Sequence, residues 1–154
     1  MKTITSLKNP AVQEAKALAN SKERQRQHAF LLDGEHMVSE GLSVCPERVR
    51  TVFVDEKRAD GFARLLEKAQ GEVYAVPEHV LAAISQVKTP QGIAAVCELP
   101  ESRELSSMGD RLILLENVQD PGNVGTVLRT LDAAGFDGCV FTPGCADPYG
   151  PKTL

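Results

Sequence analysis

Scarcity narrows this sequence before any motif is read. No apolar run approaches the roughly twenty residues that a membrane-spanning helix needs, and Met1-Lys2-Thr3-Ile4-Thr5 lacks the apolar segment of a secretory leader. A membrane partner is therefore not expected. Cysteines are few: Cys45, Cys97, Cys139 and Cys145 are scattered and form no C-x-x-C pair. That argues against a zinc site and for free thiols in a reducing cytoplasm. His28, His36 and His79 have no mutual spacing that suggests a metal or a catalytic triad, so no metal is expected. Positive charge is in deficit, with a net charge of −4, which argues against a general polyanion binder. No Walker A loop is present and no G-x-G-x-x-G follows a strand pattern, which disfavours nucleotide hydrolases and Rossmann dehydrogenases. G-x-S-x-G is missing as well, and hydrolase readings fail with it. No internal repeat or low-complexity segment is visible.

What is present is an ordinary globular chain. Its 154 residues are 42% hydrophobic, which suits one domain or two small ones. Charge is unevenly spread. Residues 1–28 hold Lys2, Lys8, Lys16, Lys22, Arg24 and Arg26 against Glu14 and Glu23, a surplus of +4 that leaves −8 for the remainder. A basic arm on an acidic body is a modest signal for RNA contact, with Lys8, Lys16, Arg24 and Arg26 as candidates. A solvated helix face is the plainer reading, and composition alone favours it.

Apolar spacing predicts alternating elements over the first hundred residues. Asn9-Pro10-Ala11-Val12 opens a helix with Val12, Ala15, Leu18 and Ala19 in a weak stripe. Residues 21–28 are polar, a loop or an exposed helix end. Strands are expected at 29–32, 49–54, 72–76 and 92–97, and helices at 35–42, 61–70 and 78–85. The result is an α/β sandwich of about seventy residues. Gly34 frees the backbone at a strand-to-helix turn whose amides can meet a phosphate, and Gln91-Gly92 offers an amide side chain beside close-approach backbone. Turn chemistry explains both positions more simply. The polar stretch 99–109 is read as a linker between a domain at 1–98 and a second at 110–154.

The second domain carries the stronger pattern. Leu112-Ile113-Leu114-Leu115 reads as a strand buried on both faces of a parallel sheet. Asp120-Pro121 supplies a helix N-cap and first-turn proline. Val124, Val127, Leu128 and Leu131 make one stripe, Gly135 stops the helix, and 138–142 is the next strand. Two polar residues fall outside this packing. Arg129 points away from the stripe, near Gly125. Asn123 sits in the first turn, near the strand's C-terminal end, where open α/β sheets bind ligands. On geometry alone, a solvated arginine and a helix-start amide explain them equally well.

Asn117, Asp120-Pro121, Asn123, Gly125, Arg129 and Gly135 resemble motif 1 of the SpoU (TrmH-type) branch of the SPOUT RNA methyltransferases. The resemblance implies a Rossmann-like, knotted α/β domain, S-adenosylmethionine as cofactor, and methyl transfer to a ribose 2′-hydroxyl of RNA. By motif match, Asn123 and Arg129 are the expected catalytic residues. The segment Asp147-Pro148-Tyr149-Gly150-Pro151-Lys152 is similar to the stretch just after motif 1 in that family, with Lys152 at a basic, RNA-facing position. The first domain resembles the family's ribosomal-protein-like RNA-binding domain through Phe30-Leu31-Leu32-Asp33-Gly34-Glu35 and Thr89-Pro90-Gln91-Gly92-Ile93-Ala94-Ala95-Val96. The family's later motifs, which form the knot and hold the cofactor, do not occur before Leu154, so the chain is expected to be truncated and, by itself, inactive. Ribosomal RNA is favoured over transfer RNA, and the complete protein is expected to be a cytoplasmic homodimer. A non-catalytic module for structured RNA is the alternative.

Overall fold

The computed structural model describes residues 1–154, which divide into two compact units, Met1–Leu99 and Pro100–Leu154. In the first unit, β1 (Lys2–Thr3) leads to α1 (Pro10–Ala17), α2 (Ser21–Gln27), β2 (Ala29–Asp33), α3 (Glu35–Val44) and β3 (Val49–Asp55). Then come α4 (Ala63–Leu66), β4 (Glu72–Val76), α5 (Glu78–Ile84) and β5 (Ile93–Glu98). The strands form one mixed sheet in the order β1-β4-β3-β5-β2. β4 runs parallel to β1 and β3, whereas β5 runs antiparallel to β3 and β2.

Period-two alternation divides the apolar residues between two faces. Ala29, Leu31, Phe53, Val76, Ala94 and Val96 join Val12, Ala15 and Leu18 of α1 and Val80, Leu81 and Ile84 of α5 in one core cluster. Their strand neighbours Leu32, Val52, Val54, Ala95 and Cys97 are buried too, on the opposite face. There α3 comes so close that a methyl group on Gly41 would strike Leu32. Interior β5 is therefore buried on both faces, and this explains its unbroken apolar sequence.

Three expectations differ from what is observed. Residues 21–28 form a distinct helix, α2, capped at its start by Asn20, whose Oδ1 accepts from Lys22 N at 2.8 Å, and closed by His28 at φ 51°. The helix expected over 61–70 shrinks to a 3₁₀ turn, Ala59–Phe62, followed by α4. Its apolar spacing persists, but Lys68 and Ala69 bond three residues back, to Leu65 and Leu66. Gly71 must then lie against the Arg50 backbone, where any side chain would collide. Ala19, placed on the first helix's stripe, is exposed because α1 ends before it.

The second unit is a βαβ unit. Parallel strands β6 (Leu112–Leu115) and β7 (Gly138–Phe141) are linked by α6 (Pro121–Ala133). Asp120 Oδ1 accepts from Asn123 N at 2.8 Å, and Gly135 turns the chain at φ 67°. The expectation that β6 is buried on both faces does not hold here: Leu115 is buried but Leu114 is 62% exposed. With two strands in this sheet, only one face of β6 is covered. No helix is long and apolar enough to cross a membrane.

Candidate catalytic rim and RNA-facing residues

The carboxyl ends of β6 and β7 are tied together by a compact set of bonds. Asn117, with φ 51°, donates its N–H to Thr142 Oγ1 at 3.1 Å, and its Oδ1 accepts from Gln119 Nε2 at 3.1 Å. Gly144, at φ 94°, passes so close that a Cβ would lie 2.7 Å from that oxygen. Cys145 joins the two loops: its Sγ accepts from Val118 N at 3.4 Å and donates to Leu115 O at 3.2 Å. Ala146 N donates to Val118 O at 2.8 Å. These bonds set the entry to α6.

Asn123 lies in the first turn of α6. Asp120 satisfies its backbone N–H, and the exposed Asn123 side-chain amide makes no bond within the protein. The helix-start role considered for Asn123 thus belongs to Asp120. Arg129 is exposed, and its side chain runs back toward the helix start, as helical side chains do. Its NH2 donates to Thr126 Oγ1 at 3.3 Å, and its NH1 would sit 3.2 Å from a Cβ on Gly125. No carboxylate pairs with it. Thr126 is held in turn by Gly122 O, at 2.8 Å. Thr126 therefore orients the guanidinium. The sequence signal for this was the three-residue spacing of Thr126 and Arg129.

The segment after β7 folds onto the same helix. Thr153 is buried, its hydroxyl donates to Asp147 O at 2.7 Å, and its carbonyl lies where a Gly125 side chain would be. Tyr149 N donates to Asp147 Oδ1 at 2.9 Å, which tightens the turn. Lys152, adjacent to Thr153, is exposed. The rim therefore gathers an amide, a guanidinium and, one residue from the helix contact, an ammonium.

The remaining candidates are in the first unit and do not form one cluster. Arg24 is buried, and its NH1 donates to Leu18 O at 2.7 Å and Ala19 O at 3.1 Å. It holds the end of α1 and is withdrawn as an RNA contact. Arg26 is engaged by Glu23 at 2.7 Å, and that hydrogen bond holds the Glu23 carboxyl below its usual range. Lys8 is exposed and Lys16 half-buried. Gly34 and Gln91 meet at the other end of β2: Gln91 Oε1 accepts from Glu35 N at 3.1 Å and would lie 2.7 Å from a Gly34 Cβ. Gln91 thus does for α3 what a capping side chain does, since Gly34 has none to offer.

Residues 9–95 match the model of the MRM3-like substrate binding domain, and residues 110–154 match that of the SpoU rRNA Methylase family. The chain is 41% identical over 155 residues to 23S rRNA (guanosine(2553)-2'-O)-methyltransferase RlmP of Bacillus subtilis, an alignment that takes in 100% of this chain and 60% of that protein. An AdoMet-bound rRNA methyltransferase from Sinorhizobium meliloti superposes with a TM-score of 0.78 at 29% identity, covering 99% of this chain and 58% of that one. The SpoU methyltransferase AviRb from Streptomyces viridochromogenes, in complex with AdoMet, gives a TM-score of 0.79 at 29% identity, covering 95% and 57%. The chain thus spans about 60% of the length of these relatives.

Proposed function

Because this chain belongs to the SpoU rRNA methylase family, we propose that the whole protein is an S-adenosylmethionine-dependent ribose 2′-O-methyltransferase acting on ribosomal RNA. The observation that carries the proposal is the pair of uncommitted polar groups on α6. The Asn123 amide has no protein partner, and the Arg129 guanidinium has only the Thr126 hydroxyl. Both belong to the βα unit at whose carboxyl rim ligands of open α/β sheets sit.

A ribose 2′-hydroxyl is a weak nucleophile because almost none of it is ionised at neutral pH. When bound, S-adenosylmethionine supplies a methyl group on a sulfonium, a good leaving group. The chemistry of the rim residues fits the acceptor side of such a transfer. The enzyme's work is alignment and management of one proton. The Asn123 amide can accept from or donate to the ribose. Arg129 resists deprotonation, so its role here is to stabilise the alkoxide that develops as the 2′-hydroxyl proton passes to solvent water, and to hold the neighbouring phosphate. Lys152 adds a second phosphate contact. The residues that grip the donor are expected in the family's later motifs.

Ribosomal RNA is preferred over transfer RNA because the relatives' names specify it. A homodimer and a cytoplasmic location alongside ribosomes complete the proposal. The test is incubation of the full-length gene product with tritiated methyl donor and ribosomal RNA from cells lacking the gene. Label recovered in an alkali-resistant dinucleotide is the expected result. No transfer to that RNA, or label on a base, would overturn the proposal.

A further inference from the structure

A second feature of the first unit centres on Arg58, which lies outside the segments that carry the family resemblance. After β3 the chain turns, and Arg58 lies across the entrance to β5. Its guanidinium occupies the place of a Gly92 side chain: a Cβ there would be 2.7 Å from NH1 and 2.8 Å from the guanidinium carbon. Gly92 also has φ +91°, a conformation that favours glycine. The same guanidinium is 5.6 Å from the centre of the Phe62 ring. The Gly92 backbone and the nearby Phe62 ring hold the guanidinium at the start of β5. Yet Arg58 is exposed and makes no ion pair or side-chain hydrogen bond. Five N–H donors in a planar fork are held in place with no acceptor from the protein.

Two clefts of about 370 Å³ each meet at this side chain. One is lined by Lys57, Glu78, Thr89 and Pro90, the other by Lys57, Glu35 and Phe62. Lys57 is exposed and, with Arg58, borders both. Each cleft is large enough for a single nucleotide, and carboxylates on both sides disfavour a run of phosphates.

We propose that Arg58 and these clefts seat one unpaired RNA nucleotide, with its base stacked on the guanidinium and its phosphate on Lys57. Unpaired bases in RNA are commonly held this way, on aromatic rings or arginine planes. Glu35 or Glu78 can accept from an amino group on the base edge. The inference rests on the reading of RNA as substrate. It differs from the basic arm read in the sequence, where Arg24 is buried and Arg26 is paired.

The experiment uses the full-length protein and two labelled probes: an RNA hairpin with an unpaired loop, and the same stem closed as a duplex. Fluorescence anisotropy should show binding of the hairpin in preference to the duplex. Arg58→Ala and Arg58→Lys should both weaken hairpin binding about tenfold, because lysine keeps the charge but loses the plane. In Lys57→Ala the slope of log K against log salt should become shallower by about 0.7, as for the loss of one phosphate contact on single-stranded RNA. Equal binding of duplex, wild-type affinity in Arg58→Lys, or loss of binding in Lys8→Ala/Lys16→Ala with none in Arg58→Ala would each overturn the inference, as would no binding of either probe. Methyl transfer measured on the same preparations separates the two readings. Arg58-dependent hairpin binding without methyl transfer overturns the enzymatic proposal alone. Methyl transfer whose KM for RNA is unchanged in Arg58→Ala overturns this inference alone.

Discussion

Arg129 is where the chemistry and the local structure meet. Its only protein partner is Thr126, so its replacement leaves no buried charge behind. If the proposed methyl transfer holds, Arg129→Ala is expected to lower its kcat in the full-length protein by about a hundredfold, the usual scale for removing one preorganised stabilising group, with the KM for RNA moving far less. Thr126→Val should leave the fold intact and lower kcat several-fold by loosening the guanidinium. An equal effect on KM in both variants would point to simple RNA binding instead. The sequence singled out Asn123 and Arg129 because motif spacing is local. It left Thr126 unremarked, and it misjudged Arg24, because composition cannot tell a solvated arginine from one buried against two carbonyls. Arg58 was illegible for a similar reason: its value comes from Gly92 and Phe62, and only folding brings Gly92 beside it. Cys97 gives a further test. Burial pushes its thiol from 9.0 up to about 12, with the Cys45 thiol as a lesser cause. A raised folded-state value means that the neutral thiol stabilises the fold fully below pH 9 and less as pH rises toward 12. The urea midpoint of wild type should therefore fall relative to that of Cys97→Val across that window, and Cys97 should resist alkylation at pH 8. Parallel midpoints would contradict the assignment.

The helices show how far local signals reach. α6 starts and stops where the sequence says, because Asp120-Pro121 and Gly135 act within a turn of themselves. α4 ends at Leu66 and the chain then tightens into three-residue turns on its way to Gly71, whose close approach to the Arg50 backbone lies outside any local window. α1 and α2 are joined by Arg24, which reaches back to the Leu18 and Ala19 carbonyls just past the end of α1. Hydrogen bonds from a charged donor contribute about 1.5–3 kcal/mol, so Arg24→Ala should lower unfolding free energy by about 2 kcal/mol in urea titration. RNA affinity of the folded fraction should be unchanged. The Thr153 carbonyl against Gly125 predicts a second loss. Gly125→Ala forces that contact apart, which should cost about 1–3 kcal/mol and displace Lys152 with it. Wild-type stability in Gly125→Ala would mean that the segment after β7 is not seated on α6.

Charge and surface across the chain bear on which ligands it meets. The surplus of +4 in residues 1–28 shrinks in effect once partners are assigned. Lys2 pairs with Glu72 at 2.8 Å, Arg26 with Glu23, and Arg24 is enclosed. Attraction for RNA is then a matter of particular contacts, not of a field, as a net charge of −4 requires. The donor side is argued from surface. β6 and β7 make a two-stranded sheet with Leu114 62% exposed, while a small-molecule site normally encloses most of its ligand. The rim carries the polar side chains of Asn117, Asn123 and Arg129, which suit the proposed acceptor, and no apolar walls for an adenosine. The 154-residue chain, which aligns with 60% of the Bacillus subtilis relative, is therefore expected to give no micromolar S-adenosylmethionine binding in titration calorimetry. A gene product extended to the relatives' length should bind it. Micromolar binding by the 154 residues alone would mean that the loops joined by Asn117, Thr142 and Cys145 already form the donor site, and the division between acceptor and donor residues would have to be redrawn.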